Sequence, residues 1–285
     1  MNSKTYTQTS VCCGFFIFVF LFLFLANNAV AYVLKGEHIL ELMRKQVNAC
    51  SGLMVSQQLL VYGNGSEDDI SEFYETVRYK FPYKFRSDII GHNIERIHVV
   101  SNKQIITVLD GKFATDTQSR FDLYKDIFLY GFSKLLNQRL IELGVDTSVS
   151  SFGRFLEKTA YVVGAQYPDE SVSQIWFDKE TLLPLRWLMV EEDDDYIEDT
   201  LDIRYLKWTN AKRVWYPSKI EFYKNDNLLR EININKTVVN PLLSEKLFDI
   251  EYLKSTYVKT LSDDPQNQEM REIRETVDDF KKIYE

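Results

Sequence analysis

The sequence predicts a mainly β protein with helices, an α+β chain built for export, and three observations predict it. An apolar run near the start leads to a small-residue exit. From Met54 to Val239 apolar residues recur with period two between turn residues. Two stretches replace that rhythm with helical spacing.

The first 31 residues carry one charge, Lys4, and an unbroken apolar run from Phe15 to Leu25. Ala29-Val30-Ala31 follows with the small-x-small pattern of a cleavage site, so residues 1–31 read as a secretory signal peptide. The run is shorter than the roughly 20 residues that span a bilayer. Cys12 and Cys13 precede it, which excludes a lipoprotein signal. Cleavage near Ala31 predicts a soluble protein of the periplasm. Past Ala31 the sequence has one cysteine, Cys50, so no intramolecular disulfide is expected there. The core must rest on apolar packing, and 19 Phe, 17 Tyr and 4 Trp suit that. A formal charge of −8 disfavours phosphate backbones, so nucleic acid is not an expected partner.

Tyr32 to Cys50 predicts an amphipathic helix, with Ile39, Leu40, Met43 and Val47 on one face and Glu37, Glu41, Arg44 and Lys45 on the rest. Strands are predicted at Val55–Tyr62, Ser71–Lys80, Lys84–Ile90, Glu95–Val100 and Gln104–Leu109. Asp110-Gly111 is a hairpin turn into Lys112–Thr117, so these segments form an antiparallel meander. A helix is predicted over Asp122–Leu143, with Asp122 as N-cap and Gly144 as terminator. Its apolar arc is broad, so it should pack into the hollow of a bent sheet beside the first helix, leaving an apolar pocket between them. Strands resume at Lys158–Ala165, Ser173–Phe177, Leu185–Val190, Tyr196–Trp208, Trp215–Tyr223 and Leu228–Val239. Residues 32–254 should make one domain, and 255–285 a charged tail. Asp264-Pro265 can open a tail helix with Met270, Ile273, Val277 and Ile283 as its stripe.

No catalytic set is legible. His38, His92 and His98 have no ligand spacing, and there is no nucleophile elbow, P-loop or dinucleotide fingerprint. Glu191-Glu192-Asp193-Asp194-Asp195 lacks the alternating ligands and turn glycine of a calcium loop, and reads as a solvated hairpin tip. The expectation is therefore a binding protein, not an enzyme, with no cofactor and no metal.

Three stretches carry a resemblance. They are Tyr79 to Arg86, with its P-x-x-F-R run; Trp176 to Arg186; and Trp215-Tyr216-Pro217 through Ile220–Tyr223 to Asn240-Pro241 and Leu247-Phe248. In this order, over about residues 36 to 253, they resemble the outer-membrane lipoprotein carrier and sorting family (LolA-like). The resemblance implies an incomplete antiparallel β-barrel of about eleven strands with a helical lid over an apolar cavity. It implies that Arg86 ties sheet to lid. It also implies acyl chains of lipoproteins or lipids as ligand, with an inner- or outer-membrane protein as a further partner. The same fold implies a second role, an envelope-stress sensor that binds mislocalised lipoproteins. Ser87 stands where the carriers commonly have Trp. The candidate cavity lining is Phe73, Val77, Phe85, Ile106, Ile127, Leu135, Trp176, Trp187 and Phe222.

Overall fold

The structure, a computed structural model, describes residues 33–47, 50–63, 69–91, 94–114, 119–192 and 198–257. The expected signal peptide, the acidic residues 193–195 and the expected tail helix lie outside the described residues. Leu34–Glu285 is one compact unit.

The first helix, α1 (Gly36–Val47), buries Ile39, Leu40, Met43 and Val47, as its spacing dictates. Glu37 in its first turn and Lys45 in its last complement the helix dipole. Arg44, expected on the polar face, is buried as well. It lies four residues after Leu40 and three before Val47, which is the centre of the apolar stripe.

Six strands follow: β1 (Gly52–Tyr62), β2 (Ile70–Lys80), β3 (Lys84–Gly91), β4 (Ile94–Ser101), β5 (Gln104–Leu109) and β6 (Lys112–Phe113). Each pairs antiparallel with the next. Seven more come after the helical interruption: β7 (Ser150–Phe155), β8 (Lys158–Val163), β9 (Gln174–Asp178), β10 (Pro184–Glu192), β11 (Glu198–Ala211), β12 (Val214–Lys224) and β13 (Asn227–Val239). The last strand returns to pair with the first. One thirteen-stranded sheet results, ordered β6-β5-β4-β3-β2-β1-β13-β12-β11-β10-β9-β8-β7, open because β6 and β7 are its two edges. It has two strands more than the expected eleven. The strand β7 escaped the reading because Ser-Ser-Phe-Gly-Arg-Phe is poor in β-branched residues.

The register divides the side chains between two faces. On the inner face, Leu53, Tyr79, Phe85, Val100 and Ile105 form one row across β1 to β5. Val61, Arg230, Phe222, Ile203, Trp187, Ile175 and Val163 form another across β1 and β13 to β8. On the outer face, Ile97, Val99, Ile106 and Val108 pack against Ile250 and Leu253 of a C-terminal helix, α4 (Ile250–Thr256). Farther along that face Ala160, Val162, Trp176 and Leu185 make a second apolar cluster with Phe155.

The predicted helix over Asp122–Leu143 is not continuous. It is a 3-10 turn (Arg120–Lys125), a short helix α2 (Asp126–Leu129), a break at Tyr130–Phe132, and a helix α3 (Ser133–Glu142). The backbone leaves the helical path at Tyr130 (φ −76°, ψ 89°) and is extended at Phe132 (φ −109°, ψ 137°) before α3 begins. The N-cap is Ser119, and Asp122 is its capping-box partner three residues on. The terminator is Gly144 as expected: it takes φ +83°, and Val145 N–H reaches back to Leu140 O.

Gly153 on β7 tests this packing. A Cβ there would lie 2.8 Å from both Trp176 Cζ3 and Val162 Cγ2. Gly153→Ala should therefore cost about 1–3 kcal/mol of stability by overpacking, read as a lower urea midpoint. An unchanged midpoint would contradict the outer cluster around Trp176.

Candidate functional site

Because β6 and β7 are opposite edges, the chain between them must cross the sheet. It does so over the inner face. Phe121 packs on Phe222 at 5.8 Å between ring centroids, and Tyr124 on the same ring at 5.8 Å. Phe128 touches four aromatics at once: Tyr216 at 4.7 Å, Trp208 at 6.0 Å, Tyr205 at 6.1 Å and Tyr79 at 6.2 Å. The middle of the inner face is therefore filled by Phe121, Tyr124 and Phe128 of this crossing segment.

The expected lining residues divide accordingly. Phe73, Val77, Phe85, Trp187 and Phe222 are buried on the inner face, and Ile127 is buried on the crossing segment. Leu135 on α3 lines a small hollow of about 200 Å³ with Val100 and Ile105, rimmed by Lys125, Asp126 and Arg139. Ile106 and Trp176 do not belong with these. Both point to the outer face, Ile106 under α4 and Trp176 beside Phe155 and Tyr167. Their phase along the strand decides this, since neighbouring residues on a strand face opposite ways. An open groove of about 680 Å³ lies elsewhere, along Lys35, Glu37 and Gly144–Ser148, and none of the nine residues lines it.

Arg86 is also on the outer face. It pairs with Asp88 and donates from Nη1 to Leu247 O at 3.2 Å, holding the 3-10 turn Glu245–Phe248. The arginine that binds carbonyls of the crossing segment is Arg44. Its Nη1 donates to Ile127 O at 2.7 Å and its Nε to Gly131 O at 3.3 Å. Burial pulls the Arg44 guanidinium down to about 10.

Further polar groups pin the segment. Arg96 of β4 grips Asp122 with both guanidinium nitrogens, at 3.0 and 2.5 Å. Burial alone would raise the Asp122 carboxyl, but the charges of Arg96, His98 and Lys125 outweigh it and hold it far below the carboxylate range. Tyr205 donates to Tyr124 O at 3.1 Å, and Arg139 to Asp126 at 2.8 Å. Glu75 lies under the segment. It accepts from Gln57 at 2.6 Å and from Ser87 at 2.5 Å, and Gln57 also donates to Tyr124 OH at 3.1 Å. Burial pushes the Glu75 carboxyl up despite those bonds.

Sequence spacing places Arg44 on the polar face of its helix and singles out none of Gln57, Glu75 and Arg96. Gln57 and Glu75 stand in phase with Val55, Leu59, Val77 and Phe73, the apolar positions of their strands. A polar residue in an apolar phase was the available signal. Among the described residues no three His, Cys, Asp or Glu side chains are grouped to hold a metal ion. Among them, too, no helix is long and apolar enough to cross a membrane.

Two tests follow from these contacts. Arg44→Leu removes buried, charge-assisted donors from two carbonyls and should cost about 2–3 kcal/mol in urea unfolding; a loss below 0.5 kcal/mol, in rough terms, would deny it the anchoring role. The second concerns Glu75. Its folded-state pKa is above the unfolded value, so its stabilising contribution is complete below about pH 4.3 and is lost as pH rises through the folded value. Wild type should weaken relative to Glu75→Gln as pH rises from about 4 to 7. A pH-independent difference would show that Glu75 titrates as an exposed carboxylate.

No family model matches the chain, and no curated protein does. Solved structures do. The LolA superfamily protein NE2245 from Nitrosomonas europaea superposes with a TM-score of 0.53 at 10% identity, covering 77% of this chain and 100% of that one. An outer membrane lipoprotein-sorting protein domain from Vibrio parahaemolyticus gives 0.52 at 11%, covering 77% and 98%. A DUF1329 family protein from Desulfovibrio piger gives 0.50 at 12%, again covering 77% and 98%. With identities this low the likeness speaks to architecture, and the chain has the LolA-like fold: an open antiparallel sheet with helices laid across its inner face.

Proposed function

We propose that this protein is a periplasmic carrier, exported by its first 31 residues, that shields the acyl chains of lipids or lipoproteins against the inner face of its sheet. One observation carries the reading: that face is apolar in its middle and is covered by a connection, not by a strand or a second sheet. The crossing segment is anchored by a few polar contacts at Arg44, Arg96 and Tyr205. It can leave without breaking the ladder.

The energetics suit a carrier. Each buried methylene contributes about 0.8 kcal/mol, so a sixteen-carbon chain gains roughly 10 kcal/mol. Exposing the buried side chains of Phe121, Leu123, Tyr124, Ile127, Phe128 and Leu129 costs roughly 1.5–3 kcal/mol each. The exchange is near balance, which permits loading and also release. The sorting-domain likeness agrees with a lipoprotein cargo.

Titration with a fluorescent long-chain fatty acid tests this. Wild type should bind at micromolar concentration, and Phe128→Ala should bind several-fold tighter because the competing side chain is gone. Absence of binding in both proteins would remove the carrier reading.

A further inference from the structure

We propose that the ligand is an acyl chain bearing an anionic group, and that Arg96 receives that group in the place Asp122 occupies. The inference rests on the acyl-carrier reading and adds the chemistry of the head.

When the crossing segment withdraws, its partners on the sheet remain. Asp122 belongs to the segment, whereas Arg96 belongs to the sheet. Arg96 is 3% exposed, and in register it lies between Ile89 and Leu109 on the inner face. Its forked contact with Asp122 is the geometry guanidinium offers to a carboxylate or phosphate. Removing Asp122 alone would take from the buried guanidinium the carboxylate that forks onto it, which opposes opening. An incoming anion removes the penalty, while an uncharged chain does not. His98 adds a second basic group on the same face, two residues along β4. Glu75, across Ile89, is engaged by Gln57 and Ser87.

The segment itself is shaped like such a ligand. Asp122 is flanked by Phe121 and Leu123, both buried, so a carboxylate is joined directly to apolar groups. Phe121 lies under the Arg230 guanidinium at 3.6 Å and against Phe222. The closed form is thus held by an internal anion with an apolar body. A free amphiphile of the same character competes for the same contacts.

Isothermal titration with laurate, dodecyl phosphate and dodecanol tests this. In wild type at least one anion should bind about tenfold or more tightly than dodecanol, and the tighter anion identifies a fatty-acid or phosphate head. Arg96→Gln should abolish that preference, so that the anions and dodecanol bind this variant with equal affinity. Asp122→Asn should strengthen anion binding, because the competitor is weakened. Equal affinities in wild type, or a preference that survives Arg96→Gln, would overturn the anionic-head assignment and leave the acyl carrier standing. Failure of all three ligands with both wild type and Asp122→Asn would overturn the carrier as well. Should Arg96→Gln not fold, Arg96→Lys, which keeps the charge but loses the fork, should retain a reduced preference; an undiminished one would count against the site.

Discussion

The constraint on which the structure turns is the placement of β6 and β7. They follow each other in sequence yet form opposite edges of one sheet. A short connection cannot join them, so the chain must travel across a face. Every unusual feature of the inner face follows from that passage. The backbone there cannot pair with strands, so its polar groups need side-chain partners or turns of their own. Arg44 supplies donors for the carbonyls of Ile127 and Gly131, and Tyr205 for that of Tyr124. The fully apolar alternative would leave those carbonyls unpaired.

The charges buried with the segment are best understood as latches. A buried ion pair such as Arg96–Asp122 is weak evidence of stability, because desolvating both ions offsets their attraction. Separating the two is costly, however, because each buried charge then loses its partner in the pair. Packing aromatics alone would let the segment slide. The forked arginine contact fixes where it sits. The outer face is built differently. Arg78, Arg86 and Asp88 form a surface cluster there, and α4 covers Ile97, Val99, Ile106 and Val108. One face is covered at β4 and β5 by α4, and the other is crossed by the segment between β6 and β7.

The sheet was legible in the sequence because it depends on alternation, and twelve of its strands announce themselves by period two. Register was legible to the same degree: the phase that buries Val55, Leu59, Phe73 and Val77 also says which face each residue takes. That arithmetic, carried through, would have sent Ile106 and Trp176 outward. What alternation does not convey is the partner of a buried polar group. Arg86 carries the motif, yet its described bonds go to Asp88 and Leu247 on the outer face. Arg44 sits in no motif and holds the crossing segment. The break at Gly131 is a similar case. The apolar arc from Leu123 to Leu140 continues through it, because α2 is buried on the inner face and α3 buries Leu136 and Leu140 while packing against α1, so periodicity alone concealed the kink.

The two halves of the inner face also differ in kind. Toward β10 to β12 it presents Trp187, Ile203, Tyr205, Tyr216 and Phe222, an apolar floor. Toward β2 to β5 it presents Glu75, Ser87, Arg96, His98 and Thr107 among the apolar residues, a polar floor. Each part of the crossing segment matches what lies beneath it: Phe128 lies on the aromatics, and Asp122 lies on Arg96. A purely hydrocarbon occupant would match one half and would not replace the carboxylate that Arg96 holds on the other. The asymmetry of the floor is thus matched by a segment with two chemically different ends, aromatic at Phe128 and anionic at Asp122.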